Sequence, residues 1–148
     1  MYKKLIVAAV LAGSAFVTGC ASVPMASPER DSQAKTFGVK PDKSNIYIYR
    51  NESMGAAVKL PVVVNGKIVG DTAAKTFMLL EVNPGKHKLV SKGETDSVLE
   101  MVTQPSKNYF VWQEVKMGTW AASSKLQLVD EASGKAGVAE CKLAETQN

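Results

Sequence analysis

The chain has 148 residues, 45% of them hydrophobic, with 18 Lys and Arg against 14 Asp and Glu for a net charge of +4. The lysines are scattered, with no basic run and no interleaved aromatics, which excludes a nucleic-acid-binding reading. The single histidine, His87, has no cysteine or carboxylate partners at ligand spacing, so no metal site is expected, and no Gly-rich phosphate loop implies a cofactor.

The N-terminus reads as an export signal. Lys3 and Lys4 precede an apolar run of thirteen residues, 5–17, short of the roughly 20 that a membrane-spanning helix needs. Val17-Thr18-Gly19-Cys20 then resembles the lipobox of bacterial lipoproteins: an aliphatic residue, two small residues and a cysteine. The resemblance implies a signal peptide over 1–19 and a mature chain starting at a lipidated Cys20. Ala21, where an aspartate would imply retention at the inner membrane, points to the outer membrane facing the periplasm. Removing the signal leaves 129 residues, with 16 basic and 14 acidic side chains, enough for one domain with a core. With Cys20 acylated, Cys141 has no disulfide partner, and apolar neighbours such as Val138 and Leu143 favour a buried thiol.

Residues 20–42 read as lipidated cysteine and tether, with small residues and prolines over 21–27. Ser27 can cap a short helix over 28–36, with Pro28 at its first position. The rest, 43–148, reads as a β-sandwich domain closed by a C-terminal helix. Residues 45–50 are β-branched and aromatic, as strands favour. Residues 59–64 form a valine-rich strand, and Asn65-Gly66 supplies a type I′ turn, since both residues tolerate positive φ. Residues 67–70 return from it.

Residues 76–82 and 86–91 read as a hairpin joined at Asn83-Pro84-Gly85, with Lys86 and Lys88 on a solvated face. Strands follow over 97–103 and 108–116. In the second, Tyr109, Val111 and Val115 share one face, and Phe110 and Trp112 the other. Apolar on both faces, this strand belongs inside a sheet. A short strand over 125–129 precedes a helix that Asp130 can cap and that extends to about residue 144. Gly134 and Gly137 weaken that helix by up to about 1 kcal/mol each relative to alanine. The tail 145–148 should be loose. Seven or eight strands with turn signals between them predict a mainly β fold, a small antiparallel sandwich with a short N-terminal helix and a C-terminal helix.

Two stretches carry a further resemblance. Val62-Val63-Val64-Asn65-Gly66-Lys67-Ile68-Val69-Gly70-Asp71-Thr72 and Val82-Asn83-Pro84-Gly85-Lys86-His87-Lys88-Leu89 are similar to a PEGA-type β module. With Asn45-Ile46-Tyr47-Ile48-Tyr49-Arg50-Asn51 and Asn108-Tyr109-Phe110-Val111, the chain resembles bacterial lipoproteins of domain-of-unknown-function family 2846 over about residues 43–115. These are turn and strand motifs. They specify a fold and assign no catalytic residue.

Candidates for chemistry are few. His87 sits between two lysines and reads as structural. Glu94, Asp96, Glu100 and Glu114 could pair for acid–base work but read as solvated charges, and no nucleophile elbow is present. Among the aromatics, Tyr47, Tyr49, Tyr109, Phe110 and Trp112 read as core. Trp120, outside a clear strand, is the candidate partner-binding residue. The expectation is a lipid-anchored, non-catalytic binding or scaffold module with an envelope protein partner. The alternative is a small-ligand or lipid carrier with a pocket in the sandwich. A cell-wall or lipid hydrolase ranks last.

Overall fold

The computed structural model describes residues 21–147. The signal peptide read over 1–19 and the lipidation expected at Cys20 lie outside the described residues. The chain builds three layers: helices, a five-stranded sheet and a four-stranded sheet. Helix α1 (Pro28–Ala34) starts at Ser27, whose hydroxyl accepts from the Arg30 N–H at 3.3 Å, as the sequence predicts.

Strand β1 (Ser44–Arg50) is buried along its whole length. Its alternation explains the layering. Ile46 and Ile48 face the aliphatic core between the sheets, while Tyr47 and Tyr49 face the helices. β1 pairs with β4 (Thr76–Val82) on one side and with β7 (Lys107–Met117) on the other. Adding β8 (Ala122–Val129) and β9 (Lys142–Leu143) gives the order β8-β7-β1-β4-β9. The second sheet joins β3 (Lys67–Thr72), β2 (Leu60–Val64), β5 (Gly85–Ser91) and β6 (Ser97–Thr103) in the order β3-β2-β5-β6.

Between the sheets, Ile46, Ile48, Val62, Met78, Leu89 and Val111 are all fully buried. On the outer face of the larger sheet, Tyr47 stacks on Phe110 at 5.1 Å and on Phe77 at 6.2 Å. Its hydroxyl donates to the Ala34 carbonyl at 2.9 Å, so this buried donor is satisfied and α1 is pinned to the sheet. Burial pushes the Tyr47 phenol up to about 12. Tyr109 and Val111 face the inner core while Phe110 and Trp112 face the helices, the two-faced strand that the sequence implies.

The Asn65-Gly66 turn forms as expected, with φ of 51° and 82°. Elsewhere the fold departs from the sequence reading. There are nine strands among the described residues, and β1–β7 and β4–β9 pair in parallel, so the sandwich is antiparallel only in the main. Residues 83–84 do not close a hairpin: β4 and β5 lie in different sheets, and the turn carries the chain across the sandwich. Helix α2 (Glu131–Ala139) begins at Asp130 as read but stops early, because Lys142 and Leu143 pair with Thr76 and Phe77 on the free edge of β4. Its two glycines are close-approach positions. A Cβ on Gly134 would enter the Phe110 ring, and one on Gly137 the Tyr49 ring.

Both ends of the described chain are held. The Glu145 N–H donates to the Pro24 carbonyl at 2.9 Å and that of Gln147 to Val69 at 2.7 Å, so residues 145–147 of the tail read as loose lie on the fold. The segment read as a tether does the same. Val23 is buried, Met25 bridges to Ala144, and the Ala26 N–H donates to Leu143 at 3.0 Å. Asp31 then fixes α1 by accepting from the Leu143 N–H at 2.8 Å and from Lys35 at 2.9 Å.

Candidate anchor and contact site

The strand directions bring one set of loops to one end of the sandwich: 51–59, 73–75, 92–96, 118–121 and 140–141. The chain also joins the fold there. The Ala21 N–H donates to the Ala56 carbonyl at 2.8 Å, so the position after Cys20 is fixed against the 51–59 loop.

That loop is organised by Arg50. The alternation that turns Ile46 and Ile48 inward also turns Arg50 inward, where it is fully buried. Its guanidinium donates to the carbonyls of Gly55 at 2.7 Å, Val58 at 2.9 Å and Thr72 at 3.2 Å. Burial lowers its pKa from the usual arginine value, and the nearby Glu52 charge partly offsets this. Beside it a buried polar chain ties the two sheets together. The Thr72 hydroxyl donates to Gln113 Oε1 at 2.6 Å, Gln113 Nε2 to Ser91 Oγ at 2.7 Å, and Ser124 Oγ to Ser91 Oγ at 2.6 Å. With its partners met, such a chain fixes how the sheets seat on each other.

The β7–β8 turn at this end presents Trp120. Its backbone N–H donates to Glu94 Oε1 at 2.9 Å, and the Glu94 N–H donates to the Ala122 carbonyl at 3.1 Å. The turn is therefore held from the 92–96 loop while the indole stays out, 92% exposed. Met117, the last residue of β7, is 65% exposed and Met54 on the 51–59 loop is 54% exposed. Gly55 of the 51–59 loop lies against Val115 of β7, two residues before Met117. A shallow groove of about 340 Å³ separates Val58–Pro61 from Gly93, Glu94 and Ala121.

The family described as "Protein of unknown function (DUF2846)" matches residues 40–125. The chain belongs to this family. An uncharacterized protein of Haemophilus influenzae is 34% identical over 146 residues, covering 96% of this chain and 86% of that protein. No solved structure matches the chain. The DUF2846 match spans the 51–59, 92–96 and 118–121 loops.

Within this DUF2846 domain the other candidate residues are occupied locally. His87 is buried at the opposite end. Its Nε2 donates to the Asn83 carbonyl at 2.7 Å and its Nδ1 accepts from Asn65 Nδ2 at 2.9 Å, while Asn65 Oδ1 accepts from the Lys88 N–H at 2.9 Å. The ring thus clamps the Asn65-Gly66 turn to the crossover. A surface recess of about 450 Å³ opens beside it, lined by Lys86, Lys88, Glu100 and Val102 among others.

Asp96 pairs with Lys92 at 2.6 Å and Glu114 with Lys116 at 2.7 Å, and these bonds hold both carboxyls below their usual range. Glu100 is exposed opposite Lys88. The four carboxylates are not assembled into a site. Among the described residues no group of three His, Cys, Asp or Glu could hold a metal, and no helix is long and apolar enough to cross a membrane. Cys141 is buried and free, and burial pushes its thiol up to about 12, which removes the reactive thiolate.

Of the aromatics, Tyr47, Tyr49 and Phe110 are buried, Trp112 and Tyr109 are half-buried, and Trp120 stands out in solvent. Sequence reasoning passed over Arg50 and Gln113. For Arg50 the signal is present: it continues the period-2 inward face set by Ile46 and Ile48. Gln113 lies between Val111 and Val115 on the inward face of β7 in the same way.

Proposed function

We propose that this DUF2846 protein is a lipid-anchored lipoprotein of the cell envelope, acylated at Cys20 and held at the outer membrane facing the periplasm. Its sandwich is a non-catalytic binding or scaffold module that meets another envelope component through Trp120. The reading is carried by one observation: the residue after the lipobox cysteine, Ala21, is already bonded to the fold beside the exposed Trp120 end. A lipid on Cys20 would hold the domain close, with that end nearest the anchor. Two or more acyl chains anchor stably, at about 0.8 kcal/mol per buried CH₂.

The non-catalytic reading is supported by His87, whose two ring nitrogens both serve the turns, and by carboxylates bound to their own neighbours. The carrier alternative needs room between the sheets, and that space is filled by the Ile46, Ile48, Val62 and Leu89 core.

Fractionation of cells carrying wild type and Cys20→Ser tests the anchor. Wild type should sediment with membranes, and Cys20→Ser should leave that fraction. An unchanged distribution would contradict the reading. A photo-cross-linker at position 120 in living cells should then give a lipid or protein adduct; recovery of free protein alone would remove Trp120 from the contact.

A further inference from the structure

We propose that the end of the sandwich made by the 51–59 loop and the 118–121 turn lies on the lipid bilayer, with Trp120, Met117 and Met54 seated at headgroup level. The inference rests on the reading of Cys20 as the lipidated residue, and adds which surface of the domain meets the membrane.

Reach is the first argument. Consecutive Cα atoms are about 3.8 Å apart, and Ala21 is bonded to Ala56 in the 51–59 loop. The acylated position is therefore one residue from that loop. A loose tether over 21–27 would let the domain present any face to the bilayer. The hydrogen bonds of Ala21 and Ala26, the bridge at Met25 and the burial of Val23 remove that slack.

Side-chain chemistry is the second. Indole has an apolar body and one N–H donor, which suits the boundary between acyl chains and headgroups. Trp120 is carried on a turn whose backbone is fixed by Glu94, so its exposure is not fraying. Met117 and Met54 are two further exposed apolar side chains at the same end of the sandwich. Of the acids at this end, Asp96 is held by Lys92, Glu114 by Lys116, Glu140 by Asn51 and Glu94 by the Trp120 N–H, while Glu52 Oε1 is buried without a hydrogen-bond partner. A protein partner at this end would have to displace the bilayer that the anchor holds beside it.

The test uses the mature protein purified from membranes, reconstituted in phosphatidylethanolamine–phosphatidylglycerol vesicles with ordinary or dibrominated acyl chains. Trp112→Phe leaves Trp120 as the sole tryptophan; should that variant not fold, the difference between wild type and Trp120→Ala spectra isolates the same emission. Brominated lipid should quench Trp120 by about twofold or more, as for an indole at the interface. Vesicle-bound, acylated protein with hydrated, unquenched Trp120 overturns the proposal and leaves the anchor standing, with a protein as the remaining partner for Trp120. Quenching without acyl mass on Cys20 supports insertion and overturns the anchor. Neither quenching nor acyl mass overturns both.

Discussion

The two ends of the sandwich are built by different chemistry. The end holding Asn65-Gly66 and residues 83–84 uses tight turns, and His87 bonds one to the other. The end holding Arg50 and Trp120 uses longer loops, whose own turns are reinforced from neighbouring elements. A buried guanidinium gathers three carbonyls, a Thr72–Gln113–Ser91–Ser124 chain joins the sheets, and Glu94 fixes the outermost turn. The first end finishes the fold. The second holds a tryptophan out in water on a rigid support, an arrangement that folding alone does not require, since burying apolar surface is worth about 25 cal/mol per Å². That difference is why contact is assigned to the second end.

Substitutions should separate the ends by size of effect. Arg50→Met should be the most damaging, lowering stability by roughly 3–5 kcal/mol in urea unfolding, because one buried and two part-buried carbonyls lose their donor together. A loss under about 1 kcal/mol would mean that the loops stand without it. Gln113→Leu should lose about 1–3 kcal/mol, as Thr72 and Ser91 each lose a partner. At the opposite end, His87→Leu should lose about 1–2 kcal/mol, detected as faster amide exchange at Asn65 and Lys88.

Trp120→Ala should sharpen the contrast by changing stability within about 0.5 kcal/mol, as expected of an exposed side chain, while abolishing contact at that end. A large loss of stability there would show that the indole serves the fold.

Acid should loosen the segment leading from Ala21. Burial alone would raise the Asp31 carboxyl, but bonds from Lys35 and the Leu143 N–H outweigh it, and its folded pKa lies below the usual value. Its stabilisation is therefore complete above the unfolded carboxylate range and is lost as pH falls through the lowered folded value. Asp31→Asn should flatten that part of the pH dependence of the melting temperature.

Legibility in the sequence followed the same division. Asn65-Gly66, the Ser27 and Asp130 caps and the β-branched and aromatic content of β1 are local signals, and each appears where it was read. Features decided by distant partners were not readable. Lys142 and Leu143 leave the helical pattern because the edge of β4 is open to them. Gly134 and Gly137 looked like helix weaknesses until Phe110 and Tyr49 stood against them. Residues 83–85 carry a hairpin signature, but β5 finds β2 and β6 as partners. The small residues of 21–27 resemble a linker and yet bond to Leu143 and Ala56. The exposure of Trp120 left a trace in the sequence only as its place outside a strand pattern.

Intact mass and peptide mapping of the protein extracted from membranes test the central claim most directly. The account predicts an N-terminal peptide beginning at Cys20 with a diacylglyceryl thioether on its sulfur, and no chain retaining residues 1–19. An unmodified Cys20, or a mature chain that begins elsewhere, would contradict it.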